Sequence, residues 1–125
     1  ELLDGARFCL VASGTATVET ALFQVPMIIL YQISPVSYSL ARLLVDVEHI
    51  GMVNILAGKR IVPEYVQRVP VDEVVAMSLE LIEDTPVRTK MLTELAAVKE
   101  ALGGAGASRR AASEVLEVVQ ETAHG

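Results

Sequence analysis

The segment Phe8–Tyr31, FCLVASGTATVETALFQVPMIILY, decides the fold, because it places two apolar runs of strand length on either side of a helix-like stretch. The runs FCLVA (8–12) and MIILY (27–31) carry no charge and are typical of buried parallel strands. The stretch between them predicts a helix from Thr15 to about Gln24, which ends there because Val25 precedes a proline and is disfavoured in the α region. Strand, helix and strand in this order predict two parallel strands joined by a right-handed crossover.

A second helix is predicted to follow the second strand. Ser34-Pro35 is typical of a helix start, with a capping hydroxyl before a proline at the first helical position. We expect this helix to continue to about Val45. Its apolar residues recur at helical spacing and predict one buried face, formed by Leu40, Leu43, Leu44 and Val47.

The rest of the chain predicts one more short strand and then helices. We expect the strand around Ile50–Val53, followed over Asn54–Gln67 by a loop with about one helical turn from Pro63. Three helices are expected after residue 70, with a break at the glycines 103, 104 and 106 and with Ser108 as the cap of the last helix. Their apolar faces are Val71, Val74, Val75, Leu79 and Ile82 in the first, Val87, Met91, Leu95, Val98 and Leu102 in the second, and Val115, Leu116, Val118 and Val119 in the third.

This order of elements predicts an α/β fold, a Rossmann-like parallel sheet with additional C-terminal helices. We divide the chain into an α/β part, residues 1–70, and the C-terminal helices, residues 71–125. The chain starts with ELLDGARFCLVAS and without an initiator methionine. We therefore interpret it as a single partial domain, a piece of a longer protein.

Composition and charge narrow the function classes. Only 4% of the 125 residues are aromatic, there is no tryptophan, and the net charge is −6 at pH 7, all of which argue against nucleic-acid binding. The single cysteine, Cys9, fits a reducing compartment and is interpreted as a buried strand residue. No run reaches the roughly 18 apolar residues of a spanning helix. His49 and His124 lack metal-ligand spacing, so we expect no metal and no cofactor, and the sequence contains no defensible Ser-His-Asp arrangement.

Ser13-Gly14-Thr15 connects the first strand to the first helix and is a candidate anion site. Ligands of parallel α/β sheets bind beyond the carboxyl ends of the strands, where a helix N-terminus offers free N–H groups and a favourable dipole to a phosphate. Gly14 lets a ligand approach the backbone closely. No Gly-Lys-Ser/Thr follows, so the turn is not a P-loop. The alternative is that Ser13 or Thr15 only caps the helix.

Glu19 lies one helical turn after Thr15 and shares its face of the helix. Because helical side chains lean toward the N-terminus, its carboxylate leans toward the same crevice. A carboxylate there suits a ribose, since it accepts hydrogen bonds from two hydroxyls. It is not the acid of a capping box, which would stand at Val18. The alternative is an acid that the helix dipole favours near the N-terminus.

The segment NILAGKRIVPEYVQ (54–67) adds two amides and two cations. The side chains of Asn54 and Gln67 both donate and accept, which suits the edges of a sugar or a nucleobase. The alternative for each is an amide that orders a loop. Lys59 and Arg60 suit phosphate or an anionic membrane surface, and the alternative is a solvated pair in a loop.

SGTATVETALFQVPMIILYQISPVSYSLARLLV (13–45), followed by HIGMVNILAGKRIVPEYVQ (49–67), resembles the C-terminal domain of the bacterial lipid-A-disaccharide synthases, GT-B glycosyltransferases of family 19. The likeness is strong from Phe8 to Gln67, and the last three helices are similar only in pattern. The Ser-Gly-Thr-Ala turn with Glu19 is general to GT-B enzymes. NILAG, the Ser-Pro helix start and VPE…Q are together much more specific to this family.

The resemblance implies an inverting, metal-independent transferase. Such an enzyme moves 2,3-diacylglucosamine from its UDP donor to 2,3-diacylglucosamine 1-phosphate, and gives the β-1,6-linked lipid A disaccharide and UDP. Residues 1–70 are then the nucleotide-binding part, and the acceptor and the catalytic base belong to an N-terminal GT-B domain that this chain lacks. The chain alone is expected to be inactive. The resemblance also implies a peripheral location on the cytoplasmic face of the bacterial inner membrane, in lipopolysaccharide synthesis, and leaves a homodimer open.

Carried over position by position, the resemblance implies a set of residues that bind the UDP-sugar: Ser13, Gly14, Thr15, Glu19, Asn54 and Gln67. Glu19 matches the acid that holds the ribose, and no residue of this chain matches a catalytic base. Gln32 stands where the family commonly has a basic residue, so a phosphate contact there is in doubt. Lys59 and Arg60 are the candidates to supply that charge instead.

Two other functions stay open on the sequence. One is another UDP-sugar-dependent GT-B transferase or epimerase. The other is a non-catalytic helical interaction domain, which would depend on Met91 and Leu95 rather than on Glu19. Val36, Tyr38 and Leu40 are candidates for a lipid-facing edge, with packing in the core as the alternative.

Overall fold

A computed structural model describes residues 2–12, 14–44, 49 and 51–103, together with the side chains of these residues except 14, 15, 41, 42 and 44. The elements in chain order are β1 (Cys9–Val11), α1 (Gly14–Leu22), β2 (Met27–Tyr31), α2 (Pro35–Leu44), α3 (Met52–Ala57), β3 (Glu64–Val66), α4 (Val71–Ile82) and α5 (Pro86–Gly103). The predicted strand–helix–strand unit is confirmed, as are the first two of the three helices predicted after the sheet. The third lies outside the described residues.

The three strands form one parallel sheet in the order β1-β2-β3. Cys9 pairs with Met27 and Ile29 pairs with Glu64, so β2 is the central strand. Met27, Ile28 and Ile29 are at most 1% exposed, as expected for a parallel strand covered on both faces. The predicted α/β class with a parallel, Rossmann-like sheet is confirmed.

Helices cover both faces of the sheet. On one face α1 and α3 pack together, and the Thr17 Oγ1 accepts a hydrogen bond from the N–H of Val53 at 3.2 Å. On the other face α4 packs on β2, and its Glu73 carboxylate accepts a hydrogen bond from the hydroxyl of Tyr65 at 3.2 Å. α5 packs on α1, α3 and α4 and completes the core.

Two arginines attach the connection between α4 and α5 to the start of the sheet. Arg7, just before β1, donates to the carbonyl of Ile82 at 2.5 Å and pairs with Asp84 at 2.7 Å. Arg88 of α5 donates to the carbonyl of Arg7 at 2.8 Å and to the carbonyl of Leu81 at 2.5 Å. These bonds join residues that are up to 81 positions apart, so the last helices are held on the sheet by direct bonds as well as by packing.

Two predictions for the segment after α2 are wrong. Residues 52 and 53 of the expected strand Ile50–Val53 belong to the helix α3, and the expected loop contains the strand β3 instead of a helical turn at Pro63. A short apolar run does not distinguish a strand from a short helix by its periodicity. The contacts that decide are distant in sequence, since α3 packs on α1 and Glu64 of β3 pairs with Ile29.

The predicted buried face of α2 is exposed within the described structure. Leu40 and Leu43 of that face are 57% and 83% exposed, and Val36, a candidate for the lipid-facing edge, is 79% exposed. α2 packs against none of the other described helices and strands. The helical spacing of the apolar residues is as predicted, but the face has no partner in the described part of the chain. The side chain of Leu44 and all of Val47 lie outside the description.

The predicted face of α4 is mostly wrong. Of its five residues only Val74 is buried, and the second buried position of the helix is Leu81. The other four, Val71, Val75, Leu79 and Ile82, are exposed. The helix carries apolar residues on several sides, so its sequence does not define a single apolar face. The contacts with β2 and α5 select the face that carries Val74, Met77 and Leu81.

The predicted face of α5 is confirmed at its centre. Met91, Leu95 and Val98 are buried, and Leu102 is half-buried against the same core. Val87, in the first turn, is exposed.

α1 ends in a Schellman motif that contains a strained glutamine. The N–H of Val25 donates to the carbonyl of Thr20 at 3.2 Å, and the N–H of Gln24 donates to the carbonyl of Ala21 at 2.9 Å. Gln24 has φ +55°, in the left-handed region that is unfavourable by about 1–2 kcal/mol for a residue with a Cβ atom. At the end of α3, Gly58 adopts φ +65° without this strain.

We expect Gln24→Gly to raise the free energy of unfolding by about 0.5–1 kcal/mol, because glycine adopts the left-handed conformation without a steric penalty. The reverse change, Gly58→Gln, should lower it by a similar amount. No atom lies within 4 Å of the Cβ that this change adds, so its effect comes from the backbone alone. Urea unfolding of both variants and the wild type measures the two differences. Equal stability of Gln24→Gly and the wild type would show that Gln24 is not strained.

Candidate functional site

The three strands end at the same edge of the sheet, because they are parallel. Val11, Tyr31 and Val66 are the last residues of β1, β2 and β3. Residues 12 and 14 after β1, 32–34 after β2 and 67–70 after β3 therefore lie along this edge, which we call the carboxyl edge. It is the place where the sequence predicts a nucleotide to bind.

α1 begins at the carboxyl edge with Gly14. Its first N–H groups and the positive end of its dipole therefore face this edge, as a phosphate site requires. Ser13 and the side chain of Thr15 lie outside the described residues. The hydroxyl contacts expected of this turn stay predictions.

Glu19 is exposed on α1, five residues after its first residue. Its carboxylate makes no hydrogen bond or ion pair with another described residue. All its acceptor positions are therefore open to a ligand. Glu19 is the only acid among the predicted site residues, and its carboxylate has no partner among the described residues.

Asn54 is fully buried and uses its whole side-chain amide inside the fold. It is 0% exposed, and its Nδ2 donates to the carbonyl of Val62 at 2.8 Å and to the carboxylate of Glu64. Its Oδ1 accepts from the N–H groups of Ile61 at 2.9 Å and of Val62 at 3.0 Å. An amide has two donor hydrogens and two acceptor positions. A ligand therefore reaches these atoms only if one of the four bonds breaks.

Gln67 follows β3 in a strained turn. Its φ is +66°, and the N–H of Arg68 donates to the carbonyl of Val66 at 2.8 Å. This is the rarer form of the γ-turn, with positive φ, and such a backbone is unfavourable by on the order of 1–3 kcal/mol. The side chain Oε1 accepts from the N–H of Ile33 at 2.8 Å, and Nε2 donates to the carbonyl of Ile33 at 2.7 Å. Gln67 thus joins the end of β3 to the turn after β2, at the carboxyl edge.

The sequence analysis missed the role of Glu64, the partner of Asn54. Glu64 pairs with Ile29 and points to the face of the sheet that α1 and α3 cover. Gly51 makes room for it, because a Cβ at residue 51 would collide with Ile29 and stand 3.2 Å from the Glu64 Oε1. The available signal is a single carboxylate in the otherwise uncharged run IVPEYVQ (61–67).

The other three predicted contacts are divided between the two ends of the sheet. Gln32 is exposed at the carboxyl edge, just after β2. Lys59 and Arg60 precede β3, so they lie toward its opposite end. Lys59 pairs with Glu94 at 2.8 Å, and Arg60 donates to the carbonyl of Glu64 at 3.3 Å. Their position does not support the idea that they supply the charge that Gln32 lacks.

A cleft of about 540 Å³ opens beside these two cations, between the start of β3 and the helices α4 and α5. Tyr65 lines it, and burial raises the pKa of this phenol, with the hydrogen bond to Glu73 as the second cause. The cleft lies away from the carboxyl edge. It is therefore separate from the predicted nucleotide site.

No group of three or more His, Cys, Asp and Glu side chains is placed to hold a metal ion within the described ranges. Cys9 is half-buried on β1, and burial raises the pKa of its thiol. Of the helices in the described part of the chain, none is long and apolar enough to cross a membrane.

The parallel sheet, with a helix that starts at its carboxyl edge, defines the class as a Rossmann-like α/β domain. The comparison of sequences is more specific. The model of the lipid-A-disaccharide synthetase family matches residues 1–116, and the chain belongs to this family.

Curated relatives carry the same name. The chain is 45% identical over 108 residues to the lipid-A-disaccharide synthase of Geobacter metallireducens, an alignment that covers 86% of this chain and 28% of the relative. It is 41% identical over 123 residues to that of Syntrophus aciditrophicus, covering 98% and 32%. It is 41% identical over 121 residues to that of Anaeromyxobacter dehalogenans, covering 96% and 32%. The chain therefore spans less than a third of the length of these relatives. No solved structure matches it.

We expect Asn54→Ala to lower the free energy of unfolding by about 3 kcal/mol or more. The change leaves several buried groups around residues 61–64 without a partner, at about 1–3 kcal/mol each. Urea unfolding followed by circular dichroism measures the loss, with Glu19→Ala as an exposed control that should unfold like the wild type. If Asn54→Ala is as stable as the wild type, the amide is not a structural tie. A role in ligand binding would then explain it better.

Proposed function

We propose that this chain forms the UDP-sugar-binding part of a lipid-A-disaccharide synthase. In this proposal the full-length enzyme transfers 2,3-diacylglucosamine from its UDP donor to 2,3-diacylglucosamine 1-phosphate, with inversion at the anomeric carbon. The observation that carries the proposal is the match of residues 1–116 to the family, together with relatives of that name at 41–45% identity.

The donor is proposed to bind at the carboxyl edge. Its diphosphate lies against the N-terminus of α1, and Glu19 accepts hydrogen bonds from the ribose hydroxyls. Two features of the site support this arrangement: α1 starts at that edge, and the Glu19 carboxylate is exposed with no partner among the described residues. During transfer, negative charge grows on the leaving UDP. The N–H groups at the start of α1 are suited to stabilise that charge.

The chain is proposed to bind the donor without catalysing transfer. None of the predicted donor-site residues is assigned the role of a base, and the acceptor and base are assigned to another part of the enzyme. The relatives are about three times as long as this chain, which leaves room for that part. The chain alone is therefore expected to bind UDP and to show no turnover.

A helical interaction domain is a poorer explanation of the structure. It would require Met91 and Leu95 to face a partner, but they are 5% and 0% exposed within this chain. Another UDP-sugar-dependent transferase or epimerase would use the same edge of the sheet. The family match favours the lipid A enzyme over it.

We further propose that the enzyme meets the cytoplasmic face of the inner membrane peripherally, through α2. The support is the apolar face of that helix, where Pro35, Val36, Leu40 and Leu43 border an open groove and pack on no other described element. A helix with one exposed apolar face is the kind of element that lies in a bilayer surface. Such a surface would give the enzyme access to lipid substrates.

We expect Glu19→Ala to weaken UDP binding about tenfold or more, because it removes charge-assisted hydrogen bonds. The matched ligand control is UDP without the 2′- and 3′-hydroxyls. The wild type should bind UDP more tightly than this analogue, and Glu19→Ala should bind both equally. Titration calorimetry on the chain and on the full-length protein gives the four constants. If Glu19→Ala prefers UDP over the analogue as strongly as the wild type does, Glu19 does not bind the ribose hydroxyls.

We expect Leu40→Ser combined with Leu43→Ser to reduce binding to vesicles of phosphatidylethanolamine and phosphatidylglycerol about tenfold, since the side chains lose apolar area buried in the bilayer. Folding should be unchanged, because both leucines are exposed. Leu79→Ser is the control, a leucine on α4 that is about as exposed as Leu40. Vesicle co-sedimentation of the full-length protein measures the effect. Unchanged sedimentation with lower stability would indicate that another part of the enzyme covers α2.

A further inference from the structure

Gln67 uses both ends of its side-chain amide on one residue, Ile33. The amide nitrogen donates to the carbonyl of Ile33 at 2.7 Å, and the amide oxygen accepts from the N–H of Ile33 at 2.8 Å. A second tie runs along the backbone, where the N–H of Gln67 donates to the carbonyl of Tyr31 at 2.8 Å. These three bonds fasten the end of β3 to the turn at residues 32–34. We call the two side-chain bonds the Gln67–Ile33 clamp.

The turn that the clamp holds connects β2 to α2. This helix begins at Pro35, directly after the turn, and packs on no other described element. Residues 32–34 are the covalent connection between β2 and this helix. The same turn forms part of the carboxyl edge, beside the start of α1. A change in the turn therefore alters both the mouth of the nucleotide site and the position of α2.

The backbone at residue 67 supports a specific role for the glutamine. Its φ of +66° is one that glycine adopts freely and that a residue with a Cβ atom adopts only under constraint. Glycine would suit the turn better if only the backbone mattered. The strained conformation is retained together with an amide whose two ends match the N–H and the C=O of Ile33.

We propose that Gln67 is a positioning residue of the donor site: it holds the turn between β2 and α2 in the shape that the site needs, and acts through Ile33 rather than by direct contact with the sugar nucleotide. This inference rests on the proposed function. It assigns to Gln67 a different role from the donor contact that the family resemblance implies.

The decisive variant is Gln67→Glu, because its clamp depends on pH. A carboxylate accepts from the N–H of Ile33 but has no hydrogen to donate to the carbonyl, which it faces at close range. A protonated carboxyl has the shape of the amide and restores both bonds. In the new side chain the N–H of Ile33 favours the carboxylate, whereas the facing carbonyl oxygen favours the protonated form that closes the clamp; the ordinary pKa of a glutamic acid is about 4.3. The clamp should therefore be open at pH 8 and should close as the pH falls toward 5.

The experiment measures the ratio of the UDP dissociation constant of each variant to that of the wild type from pH 5 to pH 8, on the full-length protein. At pH 8 we expect ratios of about ten for Gln67→Glu, Gln67→Ala and Gln67→Gly, equivalent to the loss of about one hydrogen bond. At pH 5 the ratio for Gln67→Glu should be clearly lower than at pH 8, because part of the population is protonated, and the other two ratios should not change. The proposal is overturned if Gln67→Glu follows Gln67→Ala at every pH, or if Gln67→Gly binds UDP like the wild type.

A second measurement needs no ligand. Amide hydrogen exchange of Ile33 should be slow in the wild type, fast in Gln67→Ala and Gln67→Gly, and slow in Gln67→Glu only at low pH, after correction for the intrinsic rate at each pH. If the wild type does not bind UDP, the proposed function fails, and the exchange rates alone decide whether Gln67 holds the turn. If UDP binds and the Ile33 exchange is the same in all variants, the clamp is absent in solution and the inference fails by itself.

Discussion

The side-chain amide of Asn54 is the interaction on which the position of β3, and of the segment that leads into it, depends. β3 is only three residues long, lies at the edge of the described sheet and has a ladder to one neighbour, β2. Asn54 holds its start, through the backbone of residues 61 and 62 and through Glu64. Gln67 holds its end, through Ile33. The strand is thus fastened at both ends by amides that lie outside the ladder.

These ties form a continuous path through the domain. The Thr17 hydroxyl fixes the start of α3 on α1, and α3 carries Asn54. Asn54 places β3, and Gln67 at the end of β3 fixes the turn that precedes α2. The N-terminus of α1 and the turn before α2 are both parts of the carboxyl edge. The geometry of the predicted nucleotide site therefore depends on a buried amide that lies toward the opposite end of β3.

The sequence predicts the first half of this structure because its signals are local. The apolar runs around Cys9 and Ile29, and the proline that follows α1, are all visible within a short window. α3 and β3 are not predictable in this way. Their short segments have no clear period, and Asn54 gains its partners only when residues 61–64 fold back onto it. The exposure of α2 was also not predictable. The helical spacing of its apolar residues is evident in the sequence, but this spacing does not indicate whether another element covers the apolar face.

The predicted site residues form two groups, which differ in whether the side chain is bonded within the described fold. Glu19, which the resemblance places in a motif general to GT-B enzymes, is exposed and has no partner in the described fold. Asn54 and Gln67, which lie in the stretches that carry the family resemblance, are bonded within the fold. A physical reason for this division is that a residue which touches a common ligand is constrained by the ligand, whichever enzyme carries it. A residue that ties one scaffold together is constrained by that scaffold only. Asn54 and Gln67 are of the second kind, because their amides bond within the fold, and in the proposed donor complex Glu19 would be of the first kind.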